Sequence, residues 1–255
     1  MMTGQREKEL MSAAGMLLDA RRTNKPIDDL PAALRPVTLD EAYFIQDRLA
    51  LAYGEIGGWK VGAPTADATP SFAPMPLAWI ASSDAELGGK HRFRGLEAEI
   101  AFLMGKDLPP REKAYSRDEV VAAIASCHPA IEVIESGLVD PTKVEKLSMV
   151  ADLQMHGAFV YGAAVAHWQR VDFSKEHVVL AVDGVVRVER TGSNTSGDLV
   201  RLLPWLANEG ASRTGGLKAG EWITTGSWTG LSLGMAGSRV GVNFSTAGHV
   251  HLQFE

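Results

Sequence analysis

The run 95-GLEAEIAFLMG-105 decides how the chain is read. It is bounded by glycines and apolar enough for a buried strand, yet it carries Glu97 and Glu99. Residues two apart in a strand share a face. The two glutamates therefore point the same way, with Ala101 and Leu103 further along that face, while Leu96, Ala98, Ile100 and Phe102 form the other. Apart from the acids both faces are apolar, so the strand is expected to be covered on both sides. Two carboxylates on one covered face repel each other, and each costs several kcal/mol to desolvate without a partner. They must share a proton, meet cations or bind a metal.

A third acid lies in a similar setting. In 128-HPAIEVIES-136, Glu132 shares a face with Ala130 and Ile134, and Glu135 lies on the other with Ile131 and Val133. Carboxylates from Glu97, Glu99 and Glu132 suit a hard cation such as Mg²⁺ or Mn²⁺ in six-fold geometry, leaving positions open for substrate and water. The competing reading of an E-x-E pair is a solvated edge strand, or one paired with Lys or Arg.

The rest of the chain narrows the class. Its 255 residues, 45% hydrophobic and 22% charged, have ordinary globular composition and can bury a sizeable core. A net charge of -6 with scattered Lys and Arg gives no basic field for nucleic acid. The single cysteine, Cys127, excludes a disulfide scaffold and fits a reducing compartment. The opening MMTGQREKEL has no apolar signal core, and no run approaches the ~20 apolar residues of a membrane span. The expectation is a soluble, cytoplasmic protein with neither a membrane nor a nucleic-acid partner.

Leu10, Ala13, Ala14, Leu17 and Leu18 recur at three-four spacing and predict a helix. The proline-bearing stretch 24-NKPIDDLPAALRP-36 reads as a connector. Thr38 to Glu41 offers a capping box, and Gly54 a stop, for a second helix. A further capping box, Ser116 to Glu119, predicts a helix through about Ser126. From Gly57 onward the texture is short β-like runs: a hairpin over 178–188 around Asp183-Gly184, and strands at 221–226, 239–244 and 249–254. Residues 198–208 read as a helix that Pro204 kinks or splits. The fold class is therefore α+β, with a helical N-terminal region over 1–56 and a β-rich body over 57–255.

Five stretches together carry a resemblance: 58-GWKVGAPT-65, 97-EAEIAFLMGKDLP-109, 129-PAIEVIES-136, 205-WLANEG-210 and 217-LKAGEWITTGSWTG-230. They resemble the 2-keto-4-pentenoate hydratase and 4-oxalocrotonate decarboxylase group of the fumarylacetoacetate hydrolase superfamily. The resemblance implies a mixed β-roll with a helical N-terminal part, assembled into homo-oligomers and in places with a related subunit. It implies Mg²⁺ or Mn²⁺ on Glu97, Glu99 and Glu132. Lys60, in the G-W-K-x-G motif, is implied near the substrate, where a cation can hold a carboxylate or an enolate oxygen. The T-G-S-x-T-G motif places Thr225 and Ser227 against a ligand.

Two departures stand out. Ser71 occupies the place of an acid implicated in proton handling, and serine is no general base by itself at neutral pH. The family's Asp-Asn-Ala-Ser becomes Asp152-Leu153-Gln154-Met155, followed by His156, a candidate replacement acid–base group. Lys60, Asp152 and His156 are thus the candidate catalytic residues, and Lys60, Ser71, Thr225 and Ser227 the candidate substrate contacts. Trp79, Trp228, Phe72 and Met75 are candidates for an apolar pocket around a substrate tail.

The implied activity is a lyase on a small 2-keto acid, hydrating a 2-hydroxydienoate through an enolate that the metal stabilises. Decarboxylation of a 4-oxalocrotonate-type acid and C–C hydrolysis of an acylpyruvate, with His156 as base, are the alternatives. A further alternative is a non-catalytic ligand-binding or assembly partner that keeps the fold.

Overall fold

The computed structural model describes residues 4–63, 65 and 67–255; Pro64, in the lysine motif, lies outside them, as do the first three residues. Helix α1 (Gly4–Thr23) buries Leu10, Ala13, Ala14, Leu17 and Ala20, the stripe that three-four spacing dictates. Helix α2 (Leu39–Tyr53) starts where the Thr38 hydroxyl accepts from the Glu41 N–H at 3.2 Å. The expected return contact differs. Glu41 accepts from the Val37 N–H at 2.8 Å, one residue before the cap, because Arg6 also holds that carboxylate at 2.7 Å. Gly54, at φ 100°, ends α2.

The end of α1 is fastened to the body by Arg21. Its guanidinium donates to Asp152 Oδ1 at 2.5 Å and to the carbonyls of Asp152, Glu135 and His156 at 2.9–3.0 Å. The ion pair is closed to water, with the Arg21 side chain 5% and Asp152 0% exposed. Removing one partner strands the other charge, so Arg21→Met is expected to destabilise the fold by about 3–5 kcal/mol. Urea unfolding measures this; a loss under about 1 kcal/mol, the worth of an exposed pair, would contradict the role given to Arg21.

Two sheets form the body. The larger sheet runs in the order β2 (Ser71–Pro76), β1 (Ile56–Gly62), β10 (Trp222–Thr224), β5 (Gly95–Met104), β6 (Ile124–Ile134), β7 (His156–Tyr161) and β3 (Ile80–Ser82), with β11 (Ser232–Leu233) also on β5. The smaller sheet runs β4 (Ala85–Leu87), β13 (Gly248–Phe254), β12 (Arg239–Phe244), β8 (His177–Val182) and β9 (Val185–Thr191). Asp183 and Gly184, both at positive φ, make the β8–β9 turn. Gly58 lets the parallel pair β1–β10 close up near Lys60: a Cβ there would lie 2.4 Å from the Trp222 carbonyl oxygen.

Two helical expectations are corrected. The capping box on Ser116 and Glu119 forms, but helix α3 (Arg117–Val121) stops well short of Ser126. Ile124, Ser126 and Cys127 instead pair with Met104, Leu103 and Phe102 as the start of β6. A long antiparallel ladder with buried neighbours outweighs the propensity of one short helix. Pro204 neither kinks nor splits a helix; it sits in the first turn of the short α5 (Leu203–Trp205), where its missing N–H has no helical partner to lose, and a π-helical turn follows over Leu206–Gly210. Helix α4 (Lys146–Ala151) completes the set. Among the described residues no helix is long and apolar enough to cross a membrane.

Candidate metal centre

Strands β5 and β6 pair in register Glu97↔Glu132 and Glu99↔Ala130. Directly opposed residues of an antiparallel pair project on one face with Cβ atoms about 5 Å apart, so Glu132 joins Glu97 and Glu99. One carboxylate oxygen from each of the three lies within 4.8 Å of the others. Glu99 and Glu132 are each 1% exposed.

Lys60 enters from β1, two strands from β5 across β10. Its ammonium lies 2.6 Å from Glu132 Oε1 and donates to the Gln154 carbonyl at 3.0 Å. His156 approaches Glu132 from β7, with Nδ1 at 3.0 Å from the same oxygen. Since a carboxylate accepts, Nδ1 carries the proton. Glu99 is held by the Thr224 hydroxyl and by the Gly226 N–H at 2.9 Å. The loop bearing that N–H is pinned by Asn194, whose amide donates to the Thr225 carbonyl at 2.8 Å.

The charges are unequally matched. Burial works against ionised Glu132, but Lys60 and His156 outweigh it and keep its pKa below the usual range. Burial likewise opposes the Lys60 ammonium, and the glutamate charges reverse the effect and raise its pKa. Burial lowers the pKa of His156 despite Glu132, so its imidazole is neutral. Glu97 is pushed up to about 7 by burial, with the Glu132 charge adding and Lys60 opposing. Glu99 is pushed well above its ordinary range by burial and by both other glutamates. One lysine therefore serves three carboxylates. Two of them resist ionisation, and an all-oxygen donor set of this span fits a hard divalent cation.

The centre lies in a cleft of about 270 Å³. Lys60, Glu97, Glu99, Glu132, Ser71, Thr225 and Ser227 all border it. The Thr225 hydroxyl is already spent on the Ile100 carbonyl, at 2.9 Å. Asp152 and His156 do not border the cleft. Asp152 is fully buried and gives its oxygens to Arg21, to the Ser136 hydroxyl at 2.5 Å and to the Gly137 N–H at 2.8 Å. His156 is also fully buried, behind Glu132, with its ring stacked on Trp79 at 5.9 Å. The aromatic and methionine candidates for a tail pocket stand elsewhere too: Trp228, Phe72 and Met75 are core residues, and Trp79 borders a different cleft.

Lys146, Met149, Thr195 and Ser196 also border the cleft, without being singled out by sequence, as does Gln154 from the departing 152–155 segment. Gln154 is the most informative. Leu153, Gln154 and Met155 all have φ between 50° and 65°, three left-handed non-glycine residues in succession. Each costs about 1–2 kcal/mol. The turn aims the Gln154 carbonyl at Lys60 and leaves Gln154 Oε1 buried with no hydrogen-bond partner in the protein. Gln154→Gly is expected to raise stability by about 1 kcal/mol, since glycine adopts this conformation without penalty. Denaturant unfolding tests it, and a loss of stability would show that the turn is unstrained.

The fold is a pair of mixed sheets with few helices, and the larger sheet gathers three carboxylates at one cleft. The chain belongs to the fumarylacetoacetate hydrolase family: residues 78–254 match its "Fumarylacetoacetate (FAA) hydrolase C-terminal" description. Over its whole length it is 26% identical to the 2-keto-4-pentenoate hydratase of Paraburkholderia xenovorans, covering 97% of that protein. It is 28% identical to the 2-hydroxyhexa-2,4-dienoate hydratase of Comamonas testosteroni, over 97% of this chain and 98% of the relative. Among solved structures, 4-oxalocrotonate decarboxylase from Pseudomonas putida G7, complexed with magnesium and adipate, superposes with a TM-score of 0.84 at 25% identity, covering 100% of this chain and 99% of that one.

Proposed function

We propose that the protein is a divalent-metal-dependent lyase acting on a 2-keto acid, hydrating a 2-hydroxydienoate to a 4-hydroxy-2-keto acid. The observation that carries this reading is the convergence of Glu97, Glu99 and Glu132 in one cleft with Lys60 beside them. The three glutamates would hold Mg²⁺ or Mn²⁺, and the bound ion supplies positive charge where the substrate carboxylate and 2-keto oxygen gather negative charge.

The chain's own groups do the rest. An ammonium has three N–H groups. Glu132 and the Gln154 carbonyl take two from Lys60, and the third is available to an oxygen of the substrate, where charge develops. Asp152 and His156 act as positioning residues. Asp152 fixes Arg21 and the 136–137 turn, and His156 orients Glu132. Proton transfer to substrate carbon then falls to water held in the cleft by Ser71, Gln154 and Ser227. The hydrolase alternative loses its proposed base, because His156 does not reach the cleft.

The test is hydration of a 2-hydroxydienoate followed spectroscopically. Activity is expected to vanish in EDTA and to return with Mg²⁺ or Mn²⁺. Turnover indifferent to chelation would overturn the proposal.

A second reading rests on Lys146. This exposed lysine at the start of α4 adds a cation to the cleft, and among the described residues no carboxylate pairs with it. It favours a substrate with a distal carboxylate, as in decarboxylation of a 2-keto dicarboxylic acid. Lys146→Gln is then expected to raise KM for the dicarboxylate about tenfold, and to leave a dienoate with an uncharged tail unaffected. Equal effects on both substrates would remove this reading.

A further inference from the structure

A second cleft, of about 220 Å³, shares no lining residue with the first. It lies between the ends of α1 and α2, the turn before β5 and the start of β7. Three cations line it: Arg21, Arg22 and Lys90. Arg21 is matched by Asp152. The lining carboxylate, Glu135, is occupied by backbone, accepting from the N–H groups of Arg92, Phe93 and Ser136. Burial keeps His91 neutral.

Arg22 and Lys90 are left without an acidic partner among the described residues. Arg22 donates to the Ala52 carbonyl at 3.1 Å and lies 5.9 Å from the Tyr53 ring. The Lys90 ammonium lies 5.3 Å from the Trp79 ring. The two rings touch, with centroids 4.5 Å apart. The order in space is cation, ring, ring, cation. Arg21 also lies 5.9 Å from Trp79, so two cations crowd one indole. In a chain of net charge -6 this is a local surplus of positive charge around an aromatic floor.

We propose that this cleft binds a small planar organic carboxylate, its charge held in the positive field of Arg22 and Lys90 and its flat body against the Trp79–Tyr53 ring pair. An anion there relieves the like-charge crowding, and the forked guanidinium suits a carboxylate. The aromatic floor selects a flat body over a compact one. The volume lies below the roughly 300 Å³ at which drug-sized pockets begin, which limits the ligand to about one ring or a short conjugated chain. The site adjoins the back of the metal centre, since Trp79 stacks on His156 and His156 holds Glu132.

The test is calorimetric titration of benzoate into the full-length protein in EDTA, so that no metal recruits carboxylate to the glutamate cleft. One benzoate per chain is expected. Lys90→Gln and Arg22→Gln should each weaken it about tenfold, and Lys146→Gln in the other cleft should not. Both charge variants remove side chains with no ion pair and are expected to fold normally, which circular dichroism checks. Inorganic phosphate, an anion without a flat body, should bind distinctly more weakly than benzoate. The proposal is overturned if benzoate gives no saturable heat, if its affinity is unchanged in both charge variants, or if phosphate binds as tightly.

Discussion

Glu132→Gln should reduce kcat/KM on the order of a thousandfold, equivalent to about 4 kcal/mol of transition-state stabilisation, and should also destabilise the metal-free protein. Glu132 has three roles at once. It is one of three carboxylates in the candidate metal centre, the counter-ion of Lys60 and the partner of His156. The amide keeps the volume and loses the charge, which leaves a 7%-exposed lysine without its nearest anion. Glu97→Gln should lose metal binding and activity as severely, yet leave the metal-free fold as stable as the parent or more so. It removes a carboxylate that burial and Glu132 oppose, without orphaning Lys60. Assays with Mg²⁺, beside urea unfolding in EDTA, separate the two variants. If both destabilise the metal-free protein equally, the unequal roles assigned to these glutamates are wrong.

The same asymmetry fixes a pH dependence. A carboxyl whose pKa is raised in the folded state holds a proton that the unfolded chain has released, so stability falls as pH rises through the interval between the two values. For Glu97 that interval runs from the ordinary 4.5 to about 7, and Glu99, raised by burial and by both other glutamates, acts in the same direction. His91, His128 and His156, all lowered by burial, act in the opposite direction, but only below their ordinary 6.5, where the unfolded chain takes up protons and the folded one does not. Between about pH 6.5 and 7 the glutamates therefore dominate. In EDTA, stability should decline across that window, less steeply in Glu97→Gln. Saturating Mg²⁺ should reverse the trend, adding about 2.7 kcal/mol at a hundredfold excess over Kd, with affinity rising as pH rises. Melting curves at several pH values, with and without Mg²⁺, measure both. A stability profile in EDTA that rises with pH would contradict the assignment.

The three glutamates were legible in the sequence because a strand's period is two, and a charged residue on an apolar face needs a partner. The environments of Asp152 and His156 were not legible. Each looked free to move protons. Arg21, 131 residues away in the chain, claims Asp152, and Glu132 claims His156. Whether Lys60 faced the cleft depended on its neighbours in the sheet, and β1 reaches β5 only across β10, which is contributed from far down the chain. The turn at 153–155 carried no local signal, since none of its residues favours the left-handed region. The helix expected through Ser126 ends early for a related reason: the capping box on Ser116 is a local signal, whereas the pull of β5 on residues 124–127 is non-local.

Oxalate, planar and bidentate like the reacting end of a 2-keto acid, tests the central claim most directly. Calorimetric titration of oxalate into the protein with Mg²⁺ present should show one site per chain, and the signal should disappear in EDTA and in Glu132→Gln. Oxalate binding of equal affinity with and without the metal would contradict the account, because the three glutamates would then not be holding the ion that receives the acid.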